Sequence, residues 1–351
     1  MAEIFRSPPR FCCPRSAHHV YLRLASAGRE QKFWSHTTHY MLLQLLTTLG
    51  AGLIGGALCA QTLYVTANGS GDGSSWQEAA NLQEILPEAT SGTQIWVARG
   101  TYYPTPGIDR TASFHVPDGV RLFGGFTGNE SGLVQRDPAA NETILSGEIG
   151  STAPDDNSYN VVYTEAAGPN TLIDGFTITG GYAMGVGRPH ERVRCGGGWY
   201  NNGALEASNP TVSNCKFSQN VARDGGAIYN NGKGGEASPT LESCTFFENR
   251  AADDGGALYN YGGRGGKSSP VLTACTIQGN AANYGAGLFN HGGKGESSPA
   301  LQGCTITQNV AHVQGGTLYN MDINGVTEPQ LDNCSLAAKD GNGIHFSSPR
   351  L

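Results

Sequence analysis

The sequence predicts an all-β chain wound as a right-handed parallel β-helix with about 30 residues per coil, and three observations predict it. Five cysteines, Cys215, Cys244, Cys275, Cys304 and Cys334, recur at intervals of 29, 31, 29 and 30 residues, each five residues after a proline. Other positions keep phase with them: Val212, Leu241, Leu272, Leu301 and Leu331 before the cysteine, Phe217, Phe246, Ile277, Ile306 and Leu336 after it, then Asn220, Asn249, Asn280 and Asn309, then Ile228, Leu258, Leu288 and Leu318. Glycine, 51 of 351 residues, is at about twice its usual share, which favours turns over helix.

Each repeat holds short β-rich runs divided by Gly, Asn and Pro, whereas a helical repeat of this length needs a 3.6-residue period and few internal glycines. Three short strands per coil are expected, each pairing with its copy in the next coil about 4.8 Å away. Side chains alternate along a strand, so Cys244 and Phe246 face inward while Thr245 faces water. Equivalent residues then form columns along the axis.

The chain divides into three parts. Residues 1–60 read as an N-terminal extension and signal peptide. The true start is expected at Met41, which opens the uncharged stretch "MLLQLLTTLGAGLIGGALCA", with cleavage after Ala60; a membrane anchor is the alternative. Residues 61–168 are expected to form the N-terminal cap and first irregular coils. Here "LYVTANGSGDGSSWQEAANLQEIL" supplies a strand, a Gly-rich turn and a short helix around Trp76 to Leu86, and "TQIWVARGTYYP", "GVRLFGGF" and "ETILSGEI" are successive strands. Residues 169–351 are the regular coils. "PNTLIDGFTITGG" places Asp174 in the cysteine phase, "YAMGVGRPHERVR" after Gly181 reads as an insertion leaving the coil, and the pattern stops within a coil after Lys339, so the C-terminal end is expected to be incomplete.

"FSQN" at Phe217–Asn220 and "FFEN" at Phe246–Asn249, followed by "GGAI" at Gly225–Ile228 and "GGAL" at Gly255–Leu258, resemble the repeat of chlamydial polymorphic outer-membrane proteins. Upstream, "GSGDGSSW", "IWVARGTYYP", "LFGGFTGNE", "RDPAANETILSGEI" and "DNSYNVV" are similar to secreted right-handed parallel β-helix proteins of Bacteroidetes type. The resemblance implies a pectin-lyase-like solenoid in a secreted or cell-surface protein, in some relatives an adhesin. Association with the outer membrane would run through a C-terminal region missing from the sequence, and the periplasm is the alternative location.

Net charge is -7, which disfavours nucleic acid and anionic membranes, since both require clustered positive charge. The five in-phase cysteines read as a packed column of thiols, because in-register Cβ atoms stand wider apart than a relaxed disulfide prefers and a straight column does not converge on zinc. Cys195 lies off this column, free or paired. The asparagines Asn220, Asn249, Asn280 and Asn309 read as a ladder passing amide hydrogen bonds between coils.

Carboxylates carry the sharpest chemical alternative. Asp224 and Asp254 each precede Gly-Gly, which stacks them about 5 Å apart on adjacent coils with Asp253 alongside and Tyr284 and Gln314 on the next rungs. Such a pair can act as acid and nucleophile of a glycosidase or bind Ca²⁺, although no arginine–lysine–carboxylate cluster is evident around it. Asp72, in "NGSGDG", is a weaker Ca²⁺ candidate. The Gly-rich loops stack Lys233, Arg264 and Lys294, which an acidic glycan would contact. The expected role is structural or adhesive, with surface glycans or proteins of host or neighbouring cells as partners, no cofactor and no evident catalytic site. A polysaccharide lyase or glycoside hydrolase using Asp224, Asp253 and Asp254 is the first alternative, and a non-catalytic acidic-glycan module the second.

Overall fold

The computed structural model describes residues 61–339 and 343–347; the expected start, signal peptide and cleavage site lie outside them. Every strand pair in the repeat region is parallel and joins one coil to the next, giving a β-solenoid whose first sheet has nine strands. The regular coils carry four strands each, not three. In the coil beginning at Pro210 they are Thr211–Ser213, Lys216–Ser218, Val221–Asp224 and Ile228–Asn231, one in each of four sheets of nine, eight, five and eight strands. The extra sheet arises because the bend at the asparagine splits one extended run in two. It begins only at Tyr182–Ala183, so the earliest coils lack it.

Corners between sheets fall on left-handed residues. Asn214, Ser243, Ala274 and Asn333 precede the cysteines at φ 51–53°, and Gln219, Glu248 and Gln308 precede the asparagines at φ 55–57°. An L-residue costs roughly 1–2 kcal/mol in this conformation, and what offsets it is the stacked pairing on either side. At the third corner glycine is required: Gly255 lies at φ 70°, and a Cβ there would stand 2.6 Å from the Leu258 carbonyl oxygen.

Inside, the in-phase apolar residues align one above another. Val212, Leu241, Leu272, Leu301 and Leu331 pair in register, as do Phe217, Phe246, Ile277, Ile306 and Leu336. Asp174 is not in the thiol column. Backbone pairing sets it opposite Ser213, two positions short, and Phe176, 1 % exposed, takes the cysteine's place after the left-handed Gly175. Asp174 instead binds Arg136 and accepts from Ser213 Oγ and Asn214 Nδ2.

The thiols of Cys215, Cys244, Cys275 and Cys304 are free and buried. Each donates to a carbonyl of the preceding coil, Cys244 to Val212 at 3.5 Å, Cys275 to Leu241 and Cys304 to Leu272 at 3.4 Å. The asparagine side chains bridge successive rungs, with Asn220, Asn249 and Asn280 each donating from Nδ2 to the next residue's Oδ1 at 2.9–3.0 Å. A second ladder, with no counterpart in the sequence reading, runs through Asn201, Asn230, Asn260, Asn290 and Asn320.

The N-terminal part closes the first coil. Its helix is one turn, Leu82–Ile85, capped by Asn81 Oδ1 accepting from the Gln83 N–H, because Trp76 is drawn instead into an aromatic cluster with Tyr64 and Phe126. The motif "GGFTGNE" folds around Glu130, whose buried carboxylate accepts from the backbone N–H groups of Thr127, Gly128 and Asn129.

Those bonds hold Glu130 at about 2, against an ordinary 4.5, although burial alone would raise it. Its ionised form therefore stabilises the fold fully above pH 4.5, and this contribution fades as pH falls toward 2. Glu130→Gln is expected to cost about 1–3 kcal/mol near neutrality, with the difference from wild type closing in acid, as read by urea unfolding across pH. Site-resolved alkylation should also leave Cys215, Cys244, Cys275 and Cys304 unmodified in the folded protein, with the half-buried Cys334 reacting first.

Candidate functional site

The third sheet places two columns side by side on one flank of the solenoid. Cys195 bridges to Asp224, Asp224 pairs with Asp254, Asp254 with Tyr284 and Tyr284 with Gln314. One residue earlier in each strand lies a second column: Arg194, whose carbonyl accepts from the Arg223 N–H, then Arg223, then Asp253. The strand Arg250–Asp254 is one residue longer than Val221–Asp224, and the register shifts between Ala222 and Asp224. This bulge turns Asp253 toward Arg223, and the two form an ion pair at 3.0 Å with both side chains about two-fifths exposed. Bulges commonly re-aim a side chain in this way.

The sequence reading named no arginine beside the aspartates, and the structure brings Arg194 and Arg223 next to Asp224. Arg194 belongs to the insertion, 29 residues before Arg223, and backbone pairing around the Cys195–Asp224 bridge brings them together. After Ala183 the insertion leaves the coil but then lies down across the outer face of the fourth sheet. His190 stacks on Tyr261 with centroids 4.0 Å apart and bonds the Tyr229 hydroxyl. Tyr200 donates to the His190 carbonyl at 2.7 Å, and Arg192 sits 4.0 Å over the Tyr163 ring. Beneath it runs a column of stacked rings, Tyr200, Tyr229, Tyr259, Phe289 and Tyr319, visible in the sequence as the aromatic residue before each repeated Asn.

Asp224 and Asp254 are half-buried beside this aromatic column, and Asp224 also lies near the guanidinium groups of Arg194 and Arg223. Burial, with the neighbouring carboxylates of Asp224 and Asp253, pushes Asp254 up to about 7. Asp224 rises to about 6 through burial and Asp253, against the pull of Arg194 and Arg223. The Cys195 thiol lies 3.9 Å from Asp224 Oδ2 and is raised by its own burial, so it is a protonated neighbour rather than a nucleophile.

The other candidates lie elsewhere. Asp72 accepts from the Ser74 N–H in an N-terminal turn and shares a cleft with Glu84 and Glu88. Among the described residues no group of three or more His, Cys, Asp or Glu is placed to hold a metal ion. In the Gly-rich loops Lys233 does not stack on Arg264 and Lys294. Hydrogen bonding aligns Gly234 with Arg264 and Arg264 with Lys294, because the second and third loops carry one more glycine before the base. Beside them Glu236, Lys267 and Glu296 alternate in register. An open cleft of 930 Å³, lined by Arg136, Asp137, Glu142 and Lys216 among others, lies over the second sheet, and its Arg136 is already engaged by Asp174.

The model of the Chlamydia polymorphic membrane protein repeat matches residues 214–231 and 243–261, one segment in each of two successive coils, including Asp224 and Asp254. Among solved structures, the pectate lyase Pel9A is similar at 14% identity and a TM-score of 0.46, over 78% of this chain and 62% of that one. The pectin methylesterase from Aspergillus niger is similar at 14% identity and a TM-score of 0.35, over 82% of this chain and 90% of that one. No curated protein matches the chain.

A carboxyl raised above its unfolded value leaves the folded state fully stable below that value and costs stability as pH rises through the raised one. The aspartate pair therefore predicts a loss of stability between about pH 4 and pH 7. Asp254→Asn should remove much of that decline, on the order of 1–2 kcal/mol, as measured by denaturant unfolding at both ends of the range.

Proposed function

We propose that this chain is the rod of a secreted or cell-surface protein with a structural or adhesive role, presenting its outer columns and loops to surface glycans or to proteins of a host or neighbouring cell. The observation that carries this reading is the match of one segment in each of two successive coils to a repeat named for a Chlamydia membrane protein. The construction of the rod agrees with it: buried asparagines bond one another along the ladders, and the Gly-rich loops stand outside the coils, where recognition is usually placed.

A second reading, a polysaccharide lyase or glycoside hydrolase using Asp224, Asp253 and Asp254, is favoured by the two carboxyls that titrate near 6 and 7 at adjacent positions. Groups whose environments separate their protonation near neutrality are suited to acid and base roles.

In cells producing the tagged full chain, antibody and added protease should reach it without permeabilisation; a chain accessible only after permeabilisation overturns the surface reading. Incubation with a panel of uronic-acid and neutral glycans separates the two roles. The rod is expected to leave every chain length unchanged, whereas shortening that disappears in Asp254→Asn replaces the adhesive reading with the enzymatic one.

A further inference from the structure

We propose that Tyr229 with His190 and Tyr259 with His291 form a redox-active tyrosine pair, a buried site that holds an electron hole delivered by a one-electron oxidant at the surface. This goes beyond the role of the rod and does not rest on it.

The first argument is that two adjacent rungs of the aromatic column carry the same hydrogen bond from unrelated sources. The Tyr229 hydroxyl lies 2.5 Å from Nδ1 of His190, which the insertion supplies, and the Tyr259 hydroxyl lies 2.8 Å from Nδ1 of His291, which the next coil supplies. One ring sets both imidazoles: His190 stacks on Tyr261 with centroids 4.0 Å apart, and His291 packs against it at 5.0 Å. The two phenol rings are themselves stacked, 4.9 Å apart.

Such a pair is what one-electron oxidation of a buried phenol requires. Removing an electron alone leaves a strongly acidic cation, which is costly out of water, whereas a base within hydrogen-bond reach takes the proton in the same step. The oxidant gains one electron, the tyrosine O–H bond breaks, and its proton passes to Nδ1, leaving a neutral phenoxyl radical beside an imidazolium. Return of an electron sends the proton back. Burial keeps Tyr229 and Tyr259 protonated and holds His190 and His291 down at about 4, so each imidazole is neutral and able to accept. His291, Lys233, Arg194 and Arg264 also oppose a positive charge on His190, whereas burial is what acts on His291. The Tyr259 pair is therefore the deeper of the two.

The second argument is that the rest of the column confines the hole to these rings. At its half-buried end Tyr163 stacks 6.3 Å from Tyr200, and Tyr200 stacks 5.4 Å from Tyr229, so ring contacts lead inward from solvent. The Arg192 guanidinium, 4.0 Å over the Tyr163 ring, repels a hole there. Tyr200 donates to the His190 carbonyl, which accepts a hydrogen bond but is too weak a base to take the proton. Beyond Tyr259 comes Phe289 at 4.8 Å, with no hydroxyl to give. Asp224 bears on Tyr229, and both Asp224 and Asp254 bear on Tyr259; an ionised carboxylate beside a ring favours loss of its electron.

Flash photolysis of the full chain at about pH 8, where both aspartates are ionised, with a ruthenium tris-bipyridyl sensitiser and a sacrificial acceptor, tests this through tyrosyl absorbance and electron paramagnetic resonance. A tyrosyl radical is expected that outlives those of exposed tyrosines such as Tyr103 roughly tenfold or more, and that forms more slowly in D2O than in H2O. Tyr229→Phe with Tyr259→Phe should remove this long-lived component and keep the fold, since Phe289 fills the same column. His190→Gln with His291→Gln, which keeps a hydrogen-bond acceptor but supplies no base, should shorten the lifetime roughly tenfold and abolish the D2O effect. Lack of a long-lived radical in the unsubstituted chain, equal rates of formation in the two solvents, or a lifetime untouched by either pair of substitutions each overturns the proposal; the first and second need no variant to fold.

Discussion

Parallel pairing between successive coils is the constraint from which the rest of the molecule follows. Each strand residue is hydrogen-bonded to a residue about one repeat away, so Leu241 must lie on Val212 and beneath Leu272, and nothing can be placed in one coil without regard to its copies. Cost and gain are therefore shared along columns. A left-handed serine at Ser243 is strained alone, but its strain recurs at the same corner in each coil, where it aims the next thiol at a carbonyl of the coil before. The buried asparagines obey the same rule. Each amide needs both a donor and an acceptor partner, and the copies above and below supply them.

The same rule explains which part of the fold can be read from sequence. A column is a repeated letter at a fixed offset, so the thiol, leucine, phenylalanine and asparagine columns from Pro210 onward are legible without coordinates. Legibility fails where the offset changes. Between Asp174 and Ser213 the spacing is 39 residues instead of about 30, because the insertion after Ala183 interrupts the count. Asp174 is misplaced for a separate reason: Pro169 stands two residues further ahead of its strand than Pro210 does, so counting five from the proline reaches Asp174 rather than Phe176. The fourth strand of each coil was hidden for another reason. A bend at a buried asparagine and an unbent strand have the same alternation of apolar and polar residues, and only backbone pairing distinguishes them.

The candidate site was half legible on these terms. Asp224 and Asp254 lie within the regular repeat before Gly-Gly, and their adjacency needs only the period. Arg194 comes from the insertion, whose return path no period describes, and Asp253 reaches Arg223 through a one-residue bulge that the sequence records merely as an extra residue. The basic loops show the converse error. A single additional glycine before Arg264 moves Lys233 out of its column, so three residues that look equivalent in the sequence are not neighbours in space.

Departures from the repeat are thus where the chain acquires chemistry that its scaffold cannot hold. A perfect array stacks like on like, which suits apolar groups and amides but sets every charge against its own copy. The outer columns escape this by variation: Arg194 and Arg223 give way to Asp253 along one line, and Asp224 and Asp254 give way to Tyr284 and Gln314 along the other. Only two rungs carry the carboxyl pair, and only there does an insertion bring a second guanidinium. Confined to the rungs beside the insertion, the arginines and aspartates set opposite charges next to each other, as in the Arg223–Asp253 ion pair, where a strictly repeating column would set like against like.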